Sequence, residues 1–343
     1  MIGRTREGPA AAVAERADHA RILLSWRALP FPTPWDEVFS SVAEPRGLSV
    51  EIGFGDGRFT VASALAEPHM RFVGLEVSSG SLQRALRRVR RAGLSNVRLA
   101  KAGAHVAIRQ LFAPGSVDRF VVNFPCPWPK ERHAKHRLLT RGFFDLAASR
   151  LREGGELRLA TDHPEYLRFA LDEAAACGLF EVLRPQAPAA VFETKYALKW
   201  REQGKPLHYV VFSRNGAPAP ALPPLERPAI MPHALLRGKL PSDVPFAKVV
   251  LPFGGGHVIL HEAMRSLGGE DGPDRVLVRA TVEEPDLKQQ LLVLAHQRRE
   301  DEVIVRIESF GDPLITPAAR GCVHAVTEWL LGASQLEVTA RNY

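Results

Sequence analysis

The chain has 343 residues, 45% of them hydrophobic and 24% charged, with a formal net charge of +7, which fits an ordinary soluble globular protein with room for one large domain and a smaller one. No run approaches the roughly 18 apolar residues needed to cross a bilayer. Cys126, Cys177 and Cys322 form no CxxC pair, which argues against a zinc centre or a disulfide scaffold and places the chain in the reducing cytoplasm.

The positive charge is uneven. Up to residue 215, 32 Lys and Arg stand against 22 Asp and Glu; beyond it, 13 stand against 16. The first two thirds therefore carry the whole excess, as a polyanion-binding surface does. Residues 1–40 read as a basic amino-terminal arm without the apolar core of a secretory signal.

From residue 41 to 214, strand-like runs alternate with helical patterns. LSVEIGF (48–54) leads into a helix ending near Ala66, and RFVGLEV (71–77) into a helix over 78–93 with serines at its start and Gly93 as its stop. NVRLAKA (96–102), a helix over 105–112 and VDRFVVNF (117–124) follow. Then come a helix over 139–150, GELRLAT (155–161), a helix over 164–178 opened by Pro164, and the strands FEVLR and LHYVVFSR. This order predicts an α/β, Rossmann-like parallel sheet covered by helices on both faces, with ligands at the carboxyl ends of its strands. Residues 215–235, rich in proline, read as a stiff linker. Residues 236–343 mix strand runs with one helix, PAARGCVHAVTEWLLG, and read as a small α+β domain of unassigned role.

Chemistry concentrates at the predicted strand ends. Glu51-Ile52-Gly53-Phe54-Gly55-Asp56-Gly57 sits at the first strand-to-helix turn, where glycines let a ligand approach the backbone. Gly57 follows Gly53 by four residues and not five, and no GK[ST] follows, so neither a dinucleotide fingerprint nor a Walker loop is present. Glu76 ends the second strand, where an acid accepts a ribose diol. Glu51 lies where it can face a cationic amino group. An adenosine carrying a cationic amino acid is S-adenosylmethionine.

The corner Pro125-Cys126-Pro127-Trp128 ends the fourth major strand run, followed by Lys130, Arg132, His133, Lys135, His136, Arg137 and Arg141. Such a basic comb is suited to four or five phosphates. The two histidines have no partners at metal-ligand spacing, so no metal is expected. Arg84, Arg87, Arg88, Arg90 and Arg91 form a second basic cluster on a helix.

EIGFGDGRF, GLEV, LSNVRL, NFPxPWPKxRHxKHR, LATD and TKY together resemble the bacterial tRNA (guanine-N7-)-methyltransferase family over roughly residues 48–213, in a long form with a carboxyl-terminal extension. The resemblance implies a class I S-adenosylmethionine-dependent methyltransferase sheet and methylation of guanine N7 in tRNA, at the variable-loop guanosine of position 46. It implies cofactor binding by Glu51 and Glu76, and RNA contacts from Lys130, Asp162, Thr194, Lys195 and Tyr196, to which the basic comb adds Arg132, Lys135 and Arg137. Three positions depart from the family pattern: Gly103 stands where an acid or amide faces adenine, Cys126 where an aspartate sits in the corner, and Ala197 where a third acid or amide lies. The departures leave two rivals, an RNA-binding homologue with weakened catalysis and an RNA exocyclic-amine methyltransferase. The sequence leaves the oligomeric state open.

Overall fold

The computed structural model describes residues 21–266, 275–285 and 287–343. The chain forms two compact units that divide between Pro224 and Leu225.

The first unit is built on an eight-stranded sheet: β1 (Leu23–Leu24), β2 (Gly47–Ile52), β3 (Met70–Glu76), β4 (Val97–Lys101), β5 (Val117–Asn123), β6 (Leu151–Thr161), β7 (Phe180–Leu183) and β8 (His208–Arg214). Their order is β1-β4-β3-β2-β5-β6-β8-β7. Pairing is parallel from β1 through β6, whereas β8 runs antiparallel to both β6 and β7. The expected all-parallel sheet is therefore mixed. Apolar periodicity locates a strand but not its direction, and β8 enters the sheet from the opposite end after a long connection. The chain steps outward from β2 to β3 and β4, then returns to place β5 on the other side of β2. That reversal opens a crevice at the carboxyl ends of β2 and β5.

The helices are α1 (Trp35–Val38), α2 (Arg58–Ala66), α3 (Ser79–Arg91), α4 (Ala104–Leu111), α5 (Arg141–Arg150), α6 (Pro164–Cys177), α7 (Ala189–Phe192) and α8 (Lys195–Glu202). α3 shows how local chemistry fixes them. Ser78 caps its first turn by accepting from the Ser81 amide at 3.3 Å, and Leu82, Ala85, Leu86 and Val89 form its buried stripe. Gly93 follows its end with φ of 64°. α6 starts on Pro164 and stops at Gly178, whose φ of 74° is the left-handed cap a glycine supplies.

Two expected boundaries move. The described part of the arm belongs to the core: β1 pairs with β4, Ile22, Trp26, Trp35 and Phe39 are buried, and Trp35 stacks on Phe112 at 5.1 Å. Apolar burial by these side chains outweighs the basic composition that suggested a free arm; residues 1–20 of that arm lie outside the described residues. The proline-rich stretch is also not a bare linker. Arg109 donates to the Pro223 carbonyl at 3.0 Å, Arg150 to that of Leu222, and Arg214 to that of Ala217 at 3.1 Å. Residues 217–223 are thereby strapped along a cleft of about 530 Å³ lined also by Pro114, Ala148 and Arg152. At its far end, His233–Arg237 is strand β9 of the second unit, paired with β14 and β15.

The second unit continues with β10 (Val249–Phe253), β11 (Gly256–Arg265), β12 (Arg275–Glu283), β13 (Lys288–Arg299), β14 (Glu302–Ile307), helix α9 (Pro317–Gly332) and β15 (Glu337–Asn342). Its seven strands form an antiparallel sheet in the order β10-β11-β12-β13-β14-β9-β15. Alternating residues such as Val276, Val278, Val293, Val303 and Val305 share one core with Ala319, Cys322, Val323 and Val326 of α9. The α+β expectation stands, with one helix packed on an antiparallel sheet.

Candidate active site

Glu51 lies on β2 among residues buried along its whole length, and is itself 4% exposed. Thr60, on the first turn of α2, donates its hydroxyl hydrogen to Glu51 Oε2, and Asn123 Nδ2 donates to Oε1 at 3.5 Å. Burial pushes the carboxyl up from its ordinary 4.5 to about 7, against the pull of those two hydrogen bonds; the nearby Glu76 and Asp56 carboxylates push the same way. When ionised, a carboxylate held in this way has the charge to pair with a cation.

The loop beyond it turns on glycine. Gly53 and Gly55 have φ of 73° and 57°, and a Cβ on either would meet no protein atom within 4 Å, so backbone conformation is what selects glycine there. Gly57 is different: a Cβ would fall 2.7 Å from that of Ala85, so its absence lets α2 and α3 pack closely. Asp56 is held by Arg58 at 3.1 Å and by Arg88 of α3 at 3.5 Å, which occupies one arginine of the second basic cluster.

Glu76 at the end of β3 is locked in orientation by three backbone amides, those of Gly55, Val77 and Ser78, at 3.1, 2.9 and 2.9 Å. Carboxylate lone pairs beyond those three acceptances suit a ribose diol. Gly103 precedes α4 in extended conformation, and a Cβ there would meet only Val106 Cγ1, at 4.0 Å. Packing therefore does not demand the glycine that departs from the family pattern.

β5 delivers the aromatic corner. Phe124 and Trp128 both take positive φ, 50° and 42°, a conformation costing a bulky residue about 1–2 kcal/mol. The strain is held by hydrogen bonds: the Phe124 amide donates to the Ala160 carbonyl at 2.8 Å, and Arg137 donates to the carbonyls of Pro127 and Trp128 at 3.0 and 3.4 Å. Arg137 also lies 4.9 Å over the ring of Phe169. The predicted phosphate ligand is thus turned inward as the clasp of the corner. Cys126, between Pro125 and Pro127, is exposed. Cys322 is buried; Cys177 is half-buried and donates to Asp145.

Lys130 and Arg132 are exposed beside the corner, and His133 and His136 pack against Trp128 at ring distances of 5.8 and 5.3 Å. The Lys135 side chain lies outside the described residues. Asp162, just past β6, pairs with Lys205 at 3.8 Å, and Lys205 in turn lies 3.6 Å over Trp200. Lys195 is exposed, and Tyr196 places its ring 6.4 Å from Phe124 and stacks along Trp200. Thr194 is committed elsewhere: it is 8% exposed, caps α8 by accepting from Ala197 N at 3.1 Å, and donates to the Val191 carbonyl. Its capping role was readable from a Thr ahead of a helical run; Asn123, a polar residue ending an apolar strand, was the overlooked member of the site. Glu51, Glu76, Gly103, the corner and Asp162 all sit at the carboxyl ends of neighbouring parallel strands.

A buried carboxylate in the crevice, a pinned carboxylate on its rim and a glycine turn between them fit the amino-acid and ribose ends of one molecule, and with this sheet they define an S-adenosylmethionine-dependent methyltransferase. The family model described as "Putative methyltransferase" matches residues 45–210. The tRNA (guanine-N(7)-)-methyltransferase of Thermus thermophilus is 44% identical over 292 residues, 85% of this chain and 91% of that protein. The protein of the same name from Deinococcus radiodurans is 42% identical over 308 residues, 86% and 92% of the two chains. Among solved structures, the 16S rRNA methyltransferase KamB is 15% identical with a TM-score of 0.40, covering 53% of this chain and 94% of its own. The chain belongs to the tRNA (guanine-N(7)-)-methyltransferase family.

Proposed function

We propose that the protein methylates N7 of a guanine in tRNA, at the variable-loop guanosine of position 46. The observation that carries this reading is the convergence of the cofactor carboxylates and the basic-flanked aromatic corner on one end of one sheet, in a chain of this family. S-adenosylmethionine, held by Glu51, Glu76 and the turn at Gly53 and Gly55, supplies an electrophilic methyl group on its sulfonium.

The protein's own task is placement. N7 carries an in-plane lone pair and no hydrogen, so no general base is required, and alignment of donor and acceptor supplies most of the acceleration. The strained corner, clasped by Arg137, fixes where the base edge rests. Tyr196 beside Phe124 offers a face for stacking, and Lys130 and Arg132 face the phosphate backbone. A thiol at Cys126 orients the base less strongly than a carboxylate, which lowers rate without removing the mechanism. We assign the enzyme, as one that acts on tRNA, to the cytoplasm.

The test compares labelled-methyl incorporation into two unmodified tRNA transcripts, one with guanosine and one with adenosine at position 46. Incorporation confined to the guanosine transcript supports the reading. Equal incorporation into both would remove the position, and tight binding without incorporation would favour the weakened RNA-binding homologue.

A further inference from the structure

Asn123 is the last residue of β5, paired with Ala160 of β6 on one side, and it projects its amide towards Glu51 of β2. Its Nδ2 donates to Glu51, but its Oδ1 is buried with no hydrogen-bond partner among the described residues. Buried amide oxygens are nearly always paired, because removing one from water without a donor is costly. Beside it, among the described residues, the buried Glu51 carboxylate takes its hydrogen bonds from Thr60 and Asn123. Two acceptors, one carboxylate and one amide oxygen, therefore share the floor of the crevice. Their complement is a compact cation bearing several N–H donors, and a primary ammonium has three. A hydroxyl on the ligand would leave one of the two acceptors unanswered, and a carbonyl would leave both.

We propose that Asn123 is a second cofactor-binding side chain, steadying Glu51 through Nδ2 and accepting through Oδ1 from the α-ammonium of S-adenosylmethionine. This rests on the reading that the crevice holds the cofactor. The charged groups facing the pair are Glu76 at the end of β3 and Asp56 in the glycine turn, both acidic, with Thr60 of α2 the remaining neutral partner. The two acidic groups favour a cation at this spot, although Asp56 is itself paired with Arg58 and Arg88.

Calorimetric titration of the full chain with two probes separates the proposal from a structural role. S-adenosylhomocysteine carries the α-ammonium; 5′-methylthioadenosine shares the adenosine and thioether and lacks the amino acid. Asn123→Ala should weaken S-adenosylhomocysteine about tenfold, the loss of one hydrogen bond to a charged donor, and leave 5′-methylthioadenosine within about twofold. In turnover, KM for S-adenosylmethionine should rise while KM for tRNA holds. Equal weakening of both probes would assign Asn123 to the fold, and unchanged S-adenosylhomocysteine affinity would remove it from the ammonium seat; either result overturns the proposal. Wild-type protein that binds neither probe would instead overturn the cofactor reading beneath it.

Discussion

Arg137 reaches back ten residues to donate to the carbonyl oxygen of Pro127 at 3.0 Å, so a residue of the basic comb holds the corner that the comb follows. Its loss should therefore look different from the loss of a phosphate contact. Arg137→Ala is expected to lower kcat about 10- to 100-fold by releasing the strained Phe124 and Trp128 backbone, with little change in the salt dependence of tRNA binding. Arg137→Lys should not rescue it, because a single ammonium cannot span two carbonyls and the Phe169 ring. Lys130→Ala should reduce the slope of log affinity against log salt by about one and spare kcat. Filter binding at several salt concentrations, with single-turnover rates, distinguishes the two.

Glu51 sets a pH signature. With its carboxyl raised to about 7 in the cofactor-free protein, binding of an ammonium must displace a proton below that pH. Affinity for S-adenosylhomocysteine should rise from pH 6 to pH 8, with proton release visible as buffer-dependent binding heat. Glu51→Gln should flatten that dependence and weaken binding. The stability sign follows from a raised acid: Glu51's contribution is fully present below about pH 4.5 and is lost as pH rises through 7. Its full size is on the order of 3 kcal/mol. Melting of Glu51→Gln and wild-type protein across that range, without ligand, reads it directly.

The two departures near the cofactor and the base can be reversed. A side chain at Gly103 meets only Val106 at 4.0 Å, so Gly103→Asp should fold normally, cap α4 and lower KM for S-adenosylmethionine about tenfold, the value of one charge-assisted contact. Cys126 is exposed, and Cys126→Asp should raise kcat. A fall in kcat for Cys126→Asp would mean that the corner is organised around the thiol.

Much of this site was legible because its members obey local rules. Glu51, Gly53, Gly55 and Glu76 occupy the ends of apolar runs, where strands hand over to helices, and any β-α order puts such ends on one side. Helix α3 announced itself through Ser78, its apolar stripe and Gly93. What stayed hidden depended on distant partners. The antiparallel entry of β8, the burial of Trp26 and Trp35, and the inward turn of Arg137 are decided by pairing across tens of residues, and a positive charge reads the same in sequence whether it meets a phosphate or a carbonyl. Asn123 escaped notice because its meaning arises only beside Glu51, 72 positions earlier.

The strap over residues 217–223 is a further such case. Arg150 is fully buried and donates to the carbonyls of Arg109 and Leu222 and to Ser149. Arg150→Met keeps the bulk but leaves those acceptors unanswered, and should cost about 2–4 kcal/mol. Hydrogen exchange should quicken across residues 217–223, with kcat for tRNA unchanged in the folded fraction.

The central claim is chemical: a guanine N7 accepts the methyl group. Unmodified tRNA incubated with the protein and labelled S-adenosylmethionine, digested to nucleosides and resolved by chromatography with mass detection, should carry its label on 7-methylguanosine. Label on an exocyclic-amine-methylated nucleoside would contradict the account.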